Sequence, residues 1–213
     1  MTSNAIETQG TYLGIQSATE TVDVTFDAVG GTIDRAAGDF TTNFSVGMIV
    51  FTNDPDNPGP FIVTGLTATE MTVSGVLTTD AVAASFTLTG YLEIGEVTDF
   101  SGPGGAAAVI DRTHLQSVAK EKLMGLPDEG QFTFSLNFVP GNAGQIAFRT
   151  ARKTRVETNF VIVFSDGTAS TNATNAKFAG FALEFAVSGG VEAKVGGTAT
   201  IEITGAVAWS DET

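Results

Sequence analysis

Cysteine is absent from all 213 residues, which removes thiolate catalysis, zinc-thiolate sites, disulfide staples and redox motifs together. A chain of this length buries a core without staples, and the missing thiols fit assembly in a reducing cytoplasm. Histidine occurs once, as His114 in a polar stretch, and no GxSxG or Gly-rich phosphate loop follows a strand pattern. A general base needs a nucleophile and an orienting partner, so the expectation is a protein that is not an enzyme and needs no cofactor. Long apolar runs are missing too. Nothing approaches the roughly 20 residues of a membrane helix, and MTSNAIETQGTYLG lacks the regions of a signal peptide. Basic residues are scarce, with 10 Lys and Arg against 24 Asp and Glu for a net charge of -14. Nonspecific attraction to nucleic-acid phosphate depends on clustered Lys and Arg, so repulsion of DNA is expected.

The acidity is uneven. Residues 1–110 carry thirteen acids and one base, Arg35, while residues 111–213 carry eleven acids and nine bases. What the chain does hold is 25 Gly, 16 Phe and many Thr, Val and Ala, the composition of short strands separated by tight turns. Thr21–Asp27 alternates polar and apolar and ends before the turn Gly30-Gly31. Strand-like runs follow at Gly47–Thr52, Phe61–Leu66, Met71–Ser74 and Ser85–Thr89, and together they read as a small barrel or sandwich. Val22, Val24, Phe26, Ile49, Ile62, Met71, Val73 and Leu88 are its expected core.

Leu92–Phe100 reads as one strand, stopped by Ser101-Gly102-Pro103-Gly104-Gly105. Residues 111–125 read as a mixed loop with a helical turn, closed by Gly125 and Pro127. Gln131–Val139 alternates cleanly, with Phe132, Phe134, Leu136 and Phe138 on one face. Asn142 with Gln145 three residues later has the form of a capping box, opening a short helix over 143–154 whose basic residues lie toward its C-terminus. Thr158–Phe164 is a strand, and two long strands follow. Phe178–Val187 shows Phe181, Leu183, Phe185 and Val187 on one face, and Ala199–Trp209 carries Ile201, Ile203 and Val207.

Asp54, Asp56 and Asn57 have half the acids of a calcium loop, but the prolines and glycine among them favour a turn. His114 reads as a loop or interface residue. Arg149, Arg152, Lys153 and Arg155 form a basic patch expected to pair with acids of the same or a neighbouring subunit. Alternation puts Glu184 and Glu202 on polar faces opposite Phe185 and Ile203; such a face is either solvated or lines a channel.

The segments Ile94-Gly95-Glu96-Val97, Ser101-Gly102-Pro103-Gly104-Gly105, Val109-Ile110-Asp111-Arg112-Thr113-His114-Leu115, Ala119-Lys120-Glu121, Gly125-Leu126-Pro127-Asp128 and Phe138-Val139-Pro140-Gly141-Asn142 occur in this order, and Ile203–Trp209 ends the run. In this combination the chain resembles the major tail tube proteins of long-tailed bacteriophages over about residues 91–209. The resemblance implies a mainly β fold, a β-sandwich or barrel core with one short flanking α-helix. It further implies six copies per ring, sheets joined around a smooth lumen, stacking through loops and termini, a tape measure protein and a tail terminator as partners, and double-stranded DNA that passes without specific binding. It favours a noncontractile, siphovirus-like tail, a place in the virion, and assembly in the host cytoplasm. Glu184 and Glu202 become candidates for the lumen, and Asp111, Arg112, His114, Lys120 and Lys122, in the long loop at 105–130, for ring-to-ring contact.

Residues 11–90 depart from that pattern. Gly31–Phe40, Val46–Val50 and Phe61–Thr69 resemble a small β module that recurs in phage structural proteins. The expected organisation is an N-terminal arm at 1–19, a small inserted all-β module at 20–90 projecting outward, and the tail tube core at 91–213. The competing reading is a β-sandwich binding module for carbohydrate or a receptor. The single Trp and two Tyr weigh against it, since sugar sites rely on aromatic platforms.

Overall fold

The computed structural model describes residues 9–166 and 173–210. In chain order the elements are β1 (Tyr12–Asp27), β2 (Thr32–Arg35), a 3-10 turn (Phe40–Thr42), β3 (Ile49–Thr52), β4 (Phe61–Leu66), β5 (Glu70–Ser74), β6 (Asp80–Glu93) and β7 (Val97–Ser101), then β8 (Ala106–Asp111), β9 (Lys122–Asp128), β10 (Gln131–Asn137), α1 (Ala143–Thr154), β11 (Thr158–Val163), β12 (Asn175–Ser188) and β13 (Gly196–Trp209). Eleven strands form one sheet in the order β2-β5-β4-β3-β6-β1-β11-β12-β13-β10-β7, and β8 and β9 stand apart as a two-stranded hairpin. Every pairing is antiparallel.

β2 pairs with β1 as well as β5, which closes β1, β2, β5, β4, β3 and β6 into a barrel. The turn between β1 and β2 needs a left-handed residue, supplied by Gly31 at φ 65°. Phe26, Ile33, Phe40, Met48, Phe61, Met71 and Leu88 fill the barrel and are almost wholly buried. Arg35 is drawn inside with them. Its guanidinium meets Glu20 at 2.8 Å and lies 4.7 Å from the Phe40 ring centre, so the only base of the first 110 residues is spent on packing. Ile49 does not join this core as its sequence suggests. It turns to the opposite face of β3 and packs with Phe51 and Tyr91 on Val161 and Val163 of β11.

The remaining strands wrap around a second core of Leu13, Ile15, Phe132, Phe134, Phe148, Phe160, Phe178 and Ile201. Phe100 of β7 comes within 6.5 Å of Phe164, just beyond β11, so the two ends of this half of the sheet meet across the core. Helix α1 plugs the open side through Phe148, whose ring touches those of Phe134, Phe160 and Phe185. The helix begins where expected, with the Asn142 side chain accepting the Gln145 N–H at 2.8 Å. Gln145 does not reach back to complete a capping box. Its buried amide accepts from Val139 N and donates to the carbonyls of Gly95 and Asn137, tying together three loops.

Three expectations need correction. Leu92–Phe100 is not one strand, because Glu96 takes a left-handed φ of 64° and separates β6 from β7. The stretch 111–125 is the end of a β-hairpin rather than a helical loop, and Gly125 and Pro127 lie inside β9. A register shift between Ala182 and Glu184 breaks the expected apolar face of β12, leaving Phe185 in the core and Phe181 and Leu183 exposed. The boundaries expected after residues 19 and 90 fall inside β1 and β6, which run unbroken from one lobe to the other.

Candidate functional site

β7, β10, β13 and the second half of β12 form a four-stranded section whose inner face is the Phe-rich core. Partners in an antiparallel ladder share a face, so the register gives the outer face directly. One row is Asp99, Ser135, Thr198 and Ala186; the next is Ser101, Thr133, Thr200 and Glu184; a third is Gln131, Glu202 and Phe181. Glu184 and Glu202 therefore leave the same side of the sheet, away from the core, with Gln131 Nε2 donating to Glu202 Oε2 at 2.8 Å. No Lys or Arg occurs in the three rows. The sequence reading missed Asp99, because the break at Glu96 hides the alternation of β7 behind that of β6.

This section also has two unpaired edges among the described residues. β7 pairs only with β10. β12 pairs with β11 as far as Gly180, and beyond it Phe181–Ser188 pairs with β13 alone.

The second surface is the β8–β9 hairpin. Asp111 accepts from Thr113 N at 2.9 Å, and Thr113 holds its carboxyl below the usual range. Arg112 meets Glu121 at 3.4 Å, Glu121 accepts from Ser117 Oγ, and His114 Nδ1 accepts from Gln116 N at 3.2 Å. These contacts shape the hairpin tip, where Arg112, His114, Lys120 and Lys122 all stay exposed. The hairpin buries nothing of its own: Leu115, Met124 and Leu126 are 106%, 81% and 90% exposed. Apolar exposure on this scale marks an interaction surface.

The other candidates resolve as structure. Asp54 accepts from Asp56 N and Asn57 Nδ2, and Asn57 Oδ1 accepts from Thr78 N, so both carboxylate oxygens serve a turn. No group of metal-holding side chains occurs among the described residues. Among the described residues the basic patch pairs with no acid: the ion pairs there are Arg35–Glu20 and Arg112–Glu121. Arg149 instead covers the rings of Phe138 and Phe185, and Arg152 donates to the Leu183 carbonyl at 3.0 Å, fastening α1 to β12. No helix among the described residues is long and apolar enough to cross a membrane.

No curated protein matches the chain. The family model for phage tail tube proteins of the lambda-like type matches residues 76–213, from just before β6 through β13, leaving β1–β5 outside. That match spans well over half of the sequence and the whole of the candidate surfaces, and the chain accordingly belongs to the lambda-like phage tail tube proteins.

Proposed function

We propose that six copies join into a ring and that rings stack into a noncontractile tail tube, a smooth acidic conduit through which double-stranded DNA is ejected into the host. The observation that carries this reading is the four-stranded section with two open edges and a polar, base-free face. β7 and the free half of β12 run in opposite directions within one copy. A rotation about an axis along the strands therefore brings β7 of one copy antiparallel to β12 of the next, covering edges that would otherwise invite aggregation. The face of Asp99, Glu184 and Glu202 then lines the lumen, where carboxylates repel phosphate and leave no cation to retain it.

In this assembly the β8–β9 hairpin reaches the adjacent ring, burying Leu115, Met124 and Leu126 while Asp111, Arg112, His114, Lys120 and Lys122 set its register. A tape measure protein occupies the lumen before DNA does, and a terminator caps the tube, which assembles in the host cytoplasm. The barrel sits outside. Besides the shared strands β1 and β6, it meets the core lobe through Ile49 and Phe51 of β3, which pack on Val161 and Val163 of β11 outside the Phe-rich core. Residues 11–90 carry nine acids and one base, a charge better screened by open solvent than in a narrow channel.

Electron microscopy of concentrated protein should show hollow tubes or six-membered rings. Because the chain lacks cysteine, the paired change Asp99→Cys and Ala186→Cys reports directly on edge pairing. Oxidation should give a ladder of cross-linked species ending at six, and a monodisperse monomer that never polymerises defeats the proposal.

A further inference from the structure

The four-stranded section has two unlike ends. At one, β7 stops at Ser101, β8 starts at Ala106, β9 stops at Asp128 and β10 starts at Gln131. The β8–β9 hairpin therefore leaves the ladder at its Ser101–Thr133 end. The opposite end begins at the row Val97, Leu136, Gly197 and Val187. Beyond it lie the connection from β12 to β13 and the loop that leads into α1, tied together by Phe138 N, which donates to the Val195 carbonyl at 2.9 Å.

This far end is apolar and uncovered. Val139, Ile146 in the first turn of α1, Val191 and Val195 are all exposed, Val191 at 97%. Glu96 and Glu192 are exposed there too and have no ion pair. The cations nearby are Lys194 of the same connection and Arg149, whose guanidinium is laid over Phe138 and Phe185. The hairpin tip is its converse. Leu115 and Val118 are wholly exposed, and Lys120 and Lys122 have no acid partner among the described residues.

We propose that the far end is the seat for the hairpin tip of a copy in the next ring. Leu115 and Val118 pack among Val139, Ile146, Val191 and Val195, while Lys120 and Lys122 face Glu96 and Glu192. The inference rests on the stacked-ring reading and adds to it where the hairpin lands. A second copy is the occupant because each copy offers both halves at opposite ends of the same strands, and such a head-to-tail contact repeats without closing on itself. The apolar parts match, since both are large exposed patches that lose water on meeting. The reach suffices. Ala106 to Leu115 spans about 30 Å of extended chain, against roughly 20 Å for the wall strand β10.

Cysteine pairs in the full-length protein test the seat. Tubes carrying Leu115→Cys with Val191→Cys should give, on mild oxidation, a cross-linked ladder that runs past six, because axial links continue from ring to ring. Leu115→Cys with Val82→Cys, an exposed barrel position, should give none. Tubes that link Leu115 to Val82, or link Leu115→Cys alone to its own kind, and leave Val191 unlinked overturn the seat but not the stacked rings. Failure of the unsubstituted protein to form any tube overturns both. Charge gives a second measurement. Lys120→Glu with Lys122→Glu should raise the concentration needed for tube growth by about fivefold, the size expected of two exposed ion pairs. Adding Glu192→Lys to that chain should recover part of the loss, and no recovery counts against the seat.

Discussion

Gln131 Nε2 and Glu202 Oε2 are joined at 2.8 Å across β10 and β13, on the face where Glu184 projects one row away. The two carboxylates belong to one polar surface, with Thr133 and Thr200 beside them. Changing both to lysine should leave folding intact, since neither is in the core, and should leave tubes visible by microscopy. A cationic lumen should instead capture DNA. Short duplexes should bind the Glu184→Lys, Glu202→Lys tube in a salt-dependent manner and ignore the wild type. Equal, negligible binding by both would place these residues away from the DNA path.

The helix start separates two kinds of polar contact. Asn142→Ala removes one capping acceptor and should cost about 1 kcal/mol. Gln145→Ala strands Val139 N and the carbonyls of Gly95 and Asn137 in a buried site, and should cost about 3 kcal/mol. Denaturant unfolding of the unassembled protein measures both, and a Gln145 variant no less stable than the Asn142 variant would contradict this ranking.

Leu115 and Leu126 on the hairpin touch no core. Replacing both with aspartate should leave circular dichroism and melting unchanged within about 0.5 kcal/mol, as for surface changes generally. Polymerisation should fail, with rings or single copies in place of long tubes by sedimentation. Tubes of normal length would show that the hairpin contacts something other than the next ring.

Removal of residues 20–90 with a short Gly/Ser bridge should leave tubes of unchanged inner diameter. The bridge is short, because Tyr91, the first residue kept after the cut, faces Gln16 in the β1–β6 ladder, close to Thr19 at the other end. The deletion uncovers Tyr12, Val161 and Val163, which β3 shields, so lower solubility is expected alongside intact assembly. Loss of rings, or a map with the barrel inside the channel, would make the barrel part of the wall.

Much of this architecture is written locally. Phe132, Phe134 and Leu136 alternate because β10 has one dry face, and Asn142 announces α1 because a helix leaves N–H groups that only a nearby acceptor satisfies. What alternation cannot convey is an interruption of its own period. The register shift beside Glu184 moves Phe181 to the polar face, and Glu96 splits two strands with a single left-handed residue. Neither leaves a compositional trace. The hairpin escaped notice for a different reason: with both faces exposed, Leu123, Met124 and Leu126 need no polar alternation. Closure of the barrel by β1 and β2 together depends on contacts over long sequence separation that no local pattern records.

β1 and β6 pass through both lobes without a hinge residue between them, and their ladder continues from Gly14–Glu93 to Val24–Ala84 with one shift near Gln16. A load on the barrel therefore passes into the core lobe through the many hydrogen bonds of this ladder. A tethered bead on a flexible linker would sway and peel; this one is a handle forged in one piece with the body that carries it.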